Sequence, residues 1–248
     1  MTDRLGYRLK FGVLIPSTNT TVQPEMDAMR PKGVTNHIGR IHIPDLPLTN
    51  DTEFEAMVES IGPDLFGAVD RVMTCQPDHL IMAMSIPTFW GGKAGSERFE
   101  ARLAARFGGP VTVGSRACSD ALAMFPEVKR IGILTPYQPV GDSHVAGYFT
   151  DHGYTVAAVH SLMRPSEVQI AHATEKDIRD GLKALADQGV DAVVQAGTDL
   201  AVTDIADEAE RWLGIPVIAI NSALYWRALR RSGIPDQCEG RGPLLARF

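Results

Sequence analysis

Two textures alternate along the chain: short apolar runs closed by proline, glycine and hydroxyl residues, and longer amphipathic stretches between them. Leu9-Lys10-Phe11-Gly12-Val13-Leu14-Ile15 is too short for a helix and ends in Pro16-Ser17-Thr18-Asn19, so it predicts a buried strand running into a polar turn. Thr20 or Thr21 then caps a helix toward Met29. A β-like stretch over 37–43 follows, and after a polar loop one long amphipathic segment runs from about Glu53 to Thr74. Asp78 to Met84 predicts a second buried strand, with Ser85–Thr88 as the turn at its end. A helix over 96–107, a strand over 110–113 and a helix over 117–125 complete the series. Strand and helix in strict alternation call for a parallel sheet with helices on both faces.

The succession then restarts. Arg130-Ile131-Gly132-Ile133-Leu134-Thr135-Pro136 repeats the logic of Phe11 to Pro16, Asp191 to Gly197 matches Asp78 to Met84, and Pro216 through Ala223 matches Pro110 through Ala117. Three anchors in one order argue for two copies of one α/β unit. A chain of 248 residues accommodates two units of about 120 residues each. The expected halves are 1–116 together with 218–248, where a C-terminal helix returns to the first unit, and 117–217.

Composition narrows the class. The chain has 24 basic and 30 acidic residues, net −6, and its longest basic stretch is Arg227–Arg231, which is not the footprint of a nucleic-acid binder. No apolar run approaches the ~18 residues needed to span a bilayer, and the start lacks the apolar core of a signal peptide. Three cysteines (Cys75, Cys118 and Cys238) sit at no metal-ligand spacing, so the expectation is a cytoplasmic protein without metal.

In open parallel sheets, ligands bind beyond the carboxyl ends of the strands. The candidates are therefore the residues that follow the strands: 16–19, 85–88, Ser115, 136–137, 197–199 and 221–222. They are short hydroxyls, amides and a phenol at helix starts, whose free N–H groups favour an anion. A carboxylate or an enediolate fits that chemistry. No GxGxxG, Walker or HExxH motif is present, so nucleotide binding and zinc hydrolysis lack their mechanical parts.

Four motifs carry a resemblance: Pro16-Ser17-Thr18-Asn19-Thr20-Thr21; Leu134-Thr135-Pro136-Tyr137; Thr198-Asp199-Leu200; and Gly214-Ile215-Pro216-Val217 through Asn221-Ser222-Ala223-Leu224-Tyr225-Trp226. In these the chain resembles the aspartate/glutamate racemase superfamily, and within it the branch of maleate cis-trans isomerases and arylmalonate decarboxylases. The resemblance implies two flavodoxin-like halves related by a pseudo-twofold, each a four-stranded parallel sheet, with the active site in the cleft between them. It implies no cofactor, a small carboxylate as partner, and chemistry through a carboxylate-stabilised carbanion or a covalent thiol adduct. Asn19 and Tyr137 would hold substrate carboxylate oxygens. Such two-lobed folds commonly form homo-oligomers. The sequence departs from the family at the catalytic cysteines, whose places at the ends of the third strands are read as Ser85 and Gly197.

Ser85 and Asp199 are the candidate catalytic residues, since a carboxyl in an anion-binding cleft has a raised pKa and can move protons near neutral pH. Ser17, Asn19, Tyr137, Thr198, Asn221 and Ser222 are the candidate substrate contacts. Each has a plain alternative: Asn19, Ser85 and Asp199 as helix caps, Tyr137 as packing, Cys118 as a small buried residue, and His160 and His172 as surface groups. Three functions follow: an isomerase or lyase on a small mono- or dicarboxylate, a hydrolase of a small amide, lactone or ester using Ser85 or activated water, and a non-catalytic carboxylate-binding protein.

Overall fold

The computed structural model describes residues 3–248 as two four-stranded sheets with helices between and around them. The first has the order β2-β1-β3-β4, from β1 (Leu9–Pro16), β2 (Val34–Ile41), β3 (His79–Met82) and β4 (Val111–Val113). The second has the order β6-β5-β7-β8, from β5 (Arg130–Thr135), β6 (Thr155–Ser161), β7 (Ala192–Gln195) and β8 (Val217–Ala219). Every strand pair in both sheets is parallel. The central strands are buried on both faces, which is why they read as continuous apolar runs.

The repeat survives as a shared register. Gly12 lies beside Leu80 and Leu80 beside Val111; Gly132 lies beside Val193 and Val193 beside Val217. Counting on from Leu80 and Val193, Met84 is the counterpart of Gly197, and Ser85 is the counterpart of Thr198. This is the pairing of the repeat anchors read from the sequence, and it puts the two positions read as the family's cysteine places, Ser85 and Gly197, one residue out of step with each other.

The helices are α1 (Val22–Met29), α2 (Asp51–Ser60), α3 (Gly62–Met73), α4 (Ile86–Phe89), α5 (Gly92–Phe107), α6 (Gly114–Leu122), α7 (Pro139–Asp151), α8 (Glu167–Ile170), α9 (Glu175–Ala186), α10 (Thr203–Leu213), α11 (Ile220–Arg231) and α12 (Pro243–Arg247). The long amphipathic segment over 53–74 is thus two helices, broken where Gly62-Pro63 removes a backbone donor. The expected turn after β3 is the short helix α4.

The expected seam at 217/218 falls inside β8, and α11 leaves that strand to pack on α1, β3 and β4 of the first half. The helices that follow the last strand of each half, α6 and α11, pack against each other. One apolar cluster runs through this seam from Phe11 and Ile81 to Ile133 and Ile218, and a second lies between β7 and the helices α9 and α10. Among the described residues, no helix is long and apolar enough to cross a membrane.

Candidate active site

Each sheet reverses its strand order at its centre, between β1 and β3 and between β5 and β7, and the carboxyl ends of such strands are where a crevice opens. The four strand ends meet at one narrow hollow. The first half contributes Pro16, Thr18, Asn19, Met84, Ser85 and Ile86; the second contributes Tyr137, Glu167, Ile170, Gly197, Thr198 and Asp199. It is narrow, with a cavity volume of about 20 Å³.

Asn19 shows how the sequence builds the first wall. Its side-chain Oδ1 accepts the N–H groups of Thr21 at 3.0 Å and Val22 at 2.9 Å, capping α1. These two bonds fix the amide's orientation, so Nδ2 is turned away from the helix. Nδ2 is buried without a partner, on a residue that is 1% exposed and lines the hollow. The capping role and a ligand-facing donor are therefore two ends of one side chain.

Opposite stands a hydroxyl pair. Ser85 Oγ is hydrogen-bonded to Tyr137 Oη across the two halves and also accepts the Thr198 N–H at 3.4 Å. Ser85 begins α4 but makes no side-chain capping bond. Burial pushes the Tyr137 phenol well above its usual range, so it stays a neutral donor. Thr198 follows Gly197, whose φ of +150° and closeness to Pro136 leave no room for a side chain: a Cβ there would lie 2.6 Å from the Pro136 ring. Gln195 braces this turn, donating to Gly197 O at 2.7 Å and accepting from Ile220 N at 3.4 Å.

The second half also supplies two carboxyls. Asp199 Oδ1 accepts the N–H groups of Thr20 at 3.0 Å and Thr21 at 3.2 Å, at the start of α1, while Oδ2 is buried without a partner. Burial outweighs those hydrogen bonds and raises its pKa to about 6. Glu167, at the start of α8, is 8% exposed and its pKa is raised to about 7 by burial, with the charges of Asp199 and Asp45 adding to the shift. Glu167 is a lining residue that the sequence pattern does not announce. It comes after β6, an edge strand of mixed burial, and so follows no continuous apolar run that would mark a strand end.

Behind the hollow, Glu25 of α1 crosses to the second half. Its Oε1 accepts the N–H groups of Val202 and Thr203 at 3.2 Å each, at the start of α10, and the Thr203 hydroxyl at 3.0 Å. Its Oε2 accepts from Asn221 Nδ2 at 2.6 Å, and the same Nδ2 also donates to Thr198 O at 2.9 Å. Asn221, a candidate contact, thus holds the loop that carries Thr198 and is not in the lining. Ser17 is engaged with both backbone groups of Ile43, and Ser222 Oγ is buried without a partner; neither lines the hollow. Asn19, Ser85, Tyr137, Thr198 and Asp199 are brought together, while Ser17, Asn221 and Ser222 stand outside.

The cysteines are elsewhere. Cys118 is fully buried with its thiol pKa pushed up by burial, and Cys75 and Cys238 are half-buried and likewise raised; none lines the hollow. Neither His160 nor His172 is in the lining. Among the described residues no His, Cys, Asp and Glu cluster is arranged to hold a metal.

The family model for arylmalonate decarboxylase matches residues 11–245. Maleate isomerase of Nocardia farcinica is 23% identical over 97% of this chain and 96% of its own length, and that of Geobacillus stearothermophilus is 24% identical over 98% and 99%. Among solved structures, the Nocardia farcinica maleate cis-trans isomerase with a covalently bound succinylcysteine intermediate superposes with a TM-score of 0.86 at 20% identity, covering 97% of this chain and 99% of that one. A liganded mutant of arylmalonate decarboxylase gives 0.82 at 18% identity, covering 96% and 98%.

Proposed function

Because the chain belongs to the arylmalonate decarboxylase family, we propose that it is an isomerase or lyase of a small mono- or dicarboxylate, working without a cofactor through a carboxylate-stabilised anion. The observation that carries this reading is the Asn19 amide, locked by its own capping bonds with Nδ2 unpartnered at the hollow. Asn19 Nδ2 and the Ser85–Tyr137 hydroxyl pair bind one carboxylate of the substrate. When a bond at the adjacent carbon breaks or reorganises, charge flows onto that carboxylate, and donors fixed in advance stabilise it without reorganising. Asp199, with a pKa of about 6, is placed to move the proton. Below about pH 6 it is the acid; above, the base.

The relative's succinylcysteine requires a sulfur, and among the described residues no cysteine lines this hollow. The reading is therefore a thiol-free variant of the family's chemistry, with Ser85 and Asp199 as catalytic residues. The hydrolytic alternative needs a base beside Ser85 Oγ, whose neighbours are the Tyr137 hydroxyl and the Thr198 N–H. Neither is a base at neutral pH.

The test is turnover of short unsaturated and malonate-type acids by the wild type and by Asn19→Ala, Ser85→Ala and Asp199→Asn. Product from at least one acid, lost or strongly reduced in all three variants, is the expected result. Tight binding of such acids without product would identify a carboxylate-binding protein, and full activity in both Ser85→Ala and Asp199→Asn would remove the proposed catalytic pair.

A further inference from the structure

The hollow carries two carboxyls and, in its lining, no lysine, arginine or histidine. Among the described residues no hydrogen bond reaches the Glu167 carboxyl, and Asp199 Oδ2 is likewise unpartnered although Asp199 is only 5% exposed. Around the pair stand Asp45 from the loop after β2, Tyr137 from the loop after β5, His172 on the Asp199 side, and Arg40 of β2, which donates at 3.1 Å to the carbonyl of Asn19, in the peptide whose N–H meets Asp199. Asp45 adds negative charge, the Tyr137 phenol is neutral, and His172 acts on Asp199 only. A carboxylate ligand entering here would meet two more carboxylates in a space nearly free of water, where like charges repel far more strongly than in solution. Two carboxyls that share such a space relieve the repulsion by retaining one proton.

We propose that Glu167 is a catalytic acid of this site, which with Asp199 takes up one proton from solvent as the carboxylate ligand binds and then delivers it to the substrate carbon. The assignment rests on the carboxylate reading of the hollow and favours malonate-type diacids as substrates. In that reaction the bond from the α-carbon to the departing carboxylate breaks, its electron pair stays on the α-carbon, and carbon dioxide leaves. The Glu167 O–H bond then breaks as the new C–H bond forms, leaving Glu167 as the carboxylate. One proton from solvent is consumed for each carbon dioxide released, and the next binding event restores it. Glu167 with its pKa near 7 and Asp199 with its pKa near 6 are both ionised in the empty site at pH 8, so uptake at that pH is a full event.

Calorimetric titration of the full-length protein with succinate at pH 8, in HEPES and in Tris, reads the proton directly from the difference in heat between the two buffers. The expected result is uptake of about one proton per succinate in the wild type and in His172→Ala, and none in Glu167→Gln, which binds succinate at pH 8 at least as tightly. With whichever malonate-type acid is turned over, Glu167→Gln should lose about 100-fold or more in kcat with KM changed less than threefold. Glu167→Asp should recover part of the loss, and the fall of wild-type kcat/KM through about pH 7, which reports the empty site, should be absent in Glu167→Gln. Equal proton uptake in the wild type and Glu167→Gln, no uptake in the wild type, or an unchanged kcat in Glu167→Gln overturns the assignment while leaving the carboxylate reading intact. Failure of succinate, malonate and maleate all to bind, with Asn19→Ala indistinguishable from the wild type, overturns the carboxylate reading and this assignment with it.

Discussion

In the first half, the strand ends that face the hollow offer an amide, a thioether and a hydroxyl; in the second, they offer a phenol, a bare glycine and a carboxyl. The backbone beneath is the same, because Gly12, Leu80 and Val111 repeat as Gly132, Val193 and Val217 in matching register. The difference teaches that the two halves share their central strands, whose side chains are constrained by burial on both faces, and differ at the tips, which are constrained by what they touch across the cleft. One side presents the amide of Asn19 and the hydroxyl of Ser85, and the other the carboxyls of Asp199 and Glu167. Each half alone holds an incomplete site.

The largest expected effect comes from removing the pair that joins the two tips. Tyr137→Phe combined with Ser85→Ala takes away both hydroxyls, and turnover of the active substrate should fall by about 10²–10³-fold, measured as initial rates. A loss under tenfold would mean that the cross-cleft pair is packing. Next comes the asymmetry between Met84 and Gly197. Gly197→Cys places a thiol-bearing side chain at a φ of +150° and against the Pro136 ring, so it should cost about 1–3 kcal/mol of stability without gaining activity. Thermal unfolding of the variant checks the first point and a rate assay the second.

A moderate effect is expected at the cross-half clamp. The Glu25 carboxyl is raised to about 7 by burial, so the folded protein binds that proton more tightly than the unfolded chain. Its contribution to stability is full below the ordinary glutamate range and is lost as pH rises through about 7. Glu25→Gln should flatten that part of the stability-against-pH curve, measured by denaturant unfolding between pH 5 and 8. The smallest effect belongs to sulfur: Cys75→Ser, Cys118→Ala and Cys238→Ser should each change activity by less than about twofold, because none of these side chains reaches the hollow.

The strands and their repetition are legible in the sequence because double burial writes them as uninterrupted apolar runs, as in Val13-Leu14-Ile15 and Ala192-Val193-Val194. Asn19, Ser85, Tyr137, Thr198 and Asp199 are legible for a related reason, since a parallel sheet aims whatever follows its central strands at one place. Other positions depend on contacts that no local pattern encodes. Asn221 carries the same chemical signal as Asn19, yet its amide is engaged by Glu25, nearly two hundred positions away in the chain. Ser17 has the hydroxyl and the strand-end position, but the backbone of Ile43 takes both of its hydrogen bonds. Glu167 lies after an edge strand whose mixed burial hides it from a search for apolar runs.

The segment that carries Glu167 is also tied across the cleft. Pro47 and Ser166 form an antiparallel bridge, Leu48 N donates to Pro165 O at 2.8 Å, and Val168 N donates to Asp45 at 3.2 Å. This stitch fixes the loop after β2, from the first half, against the segment of the second half that places Glu167 in the lining. The two halves are therefore joined beside the hollow's acidic wall as well as through its floor, and loosening either seam alone leaves the other in place.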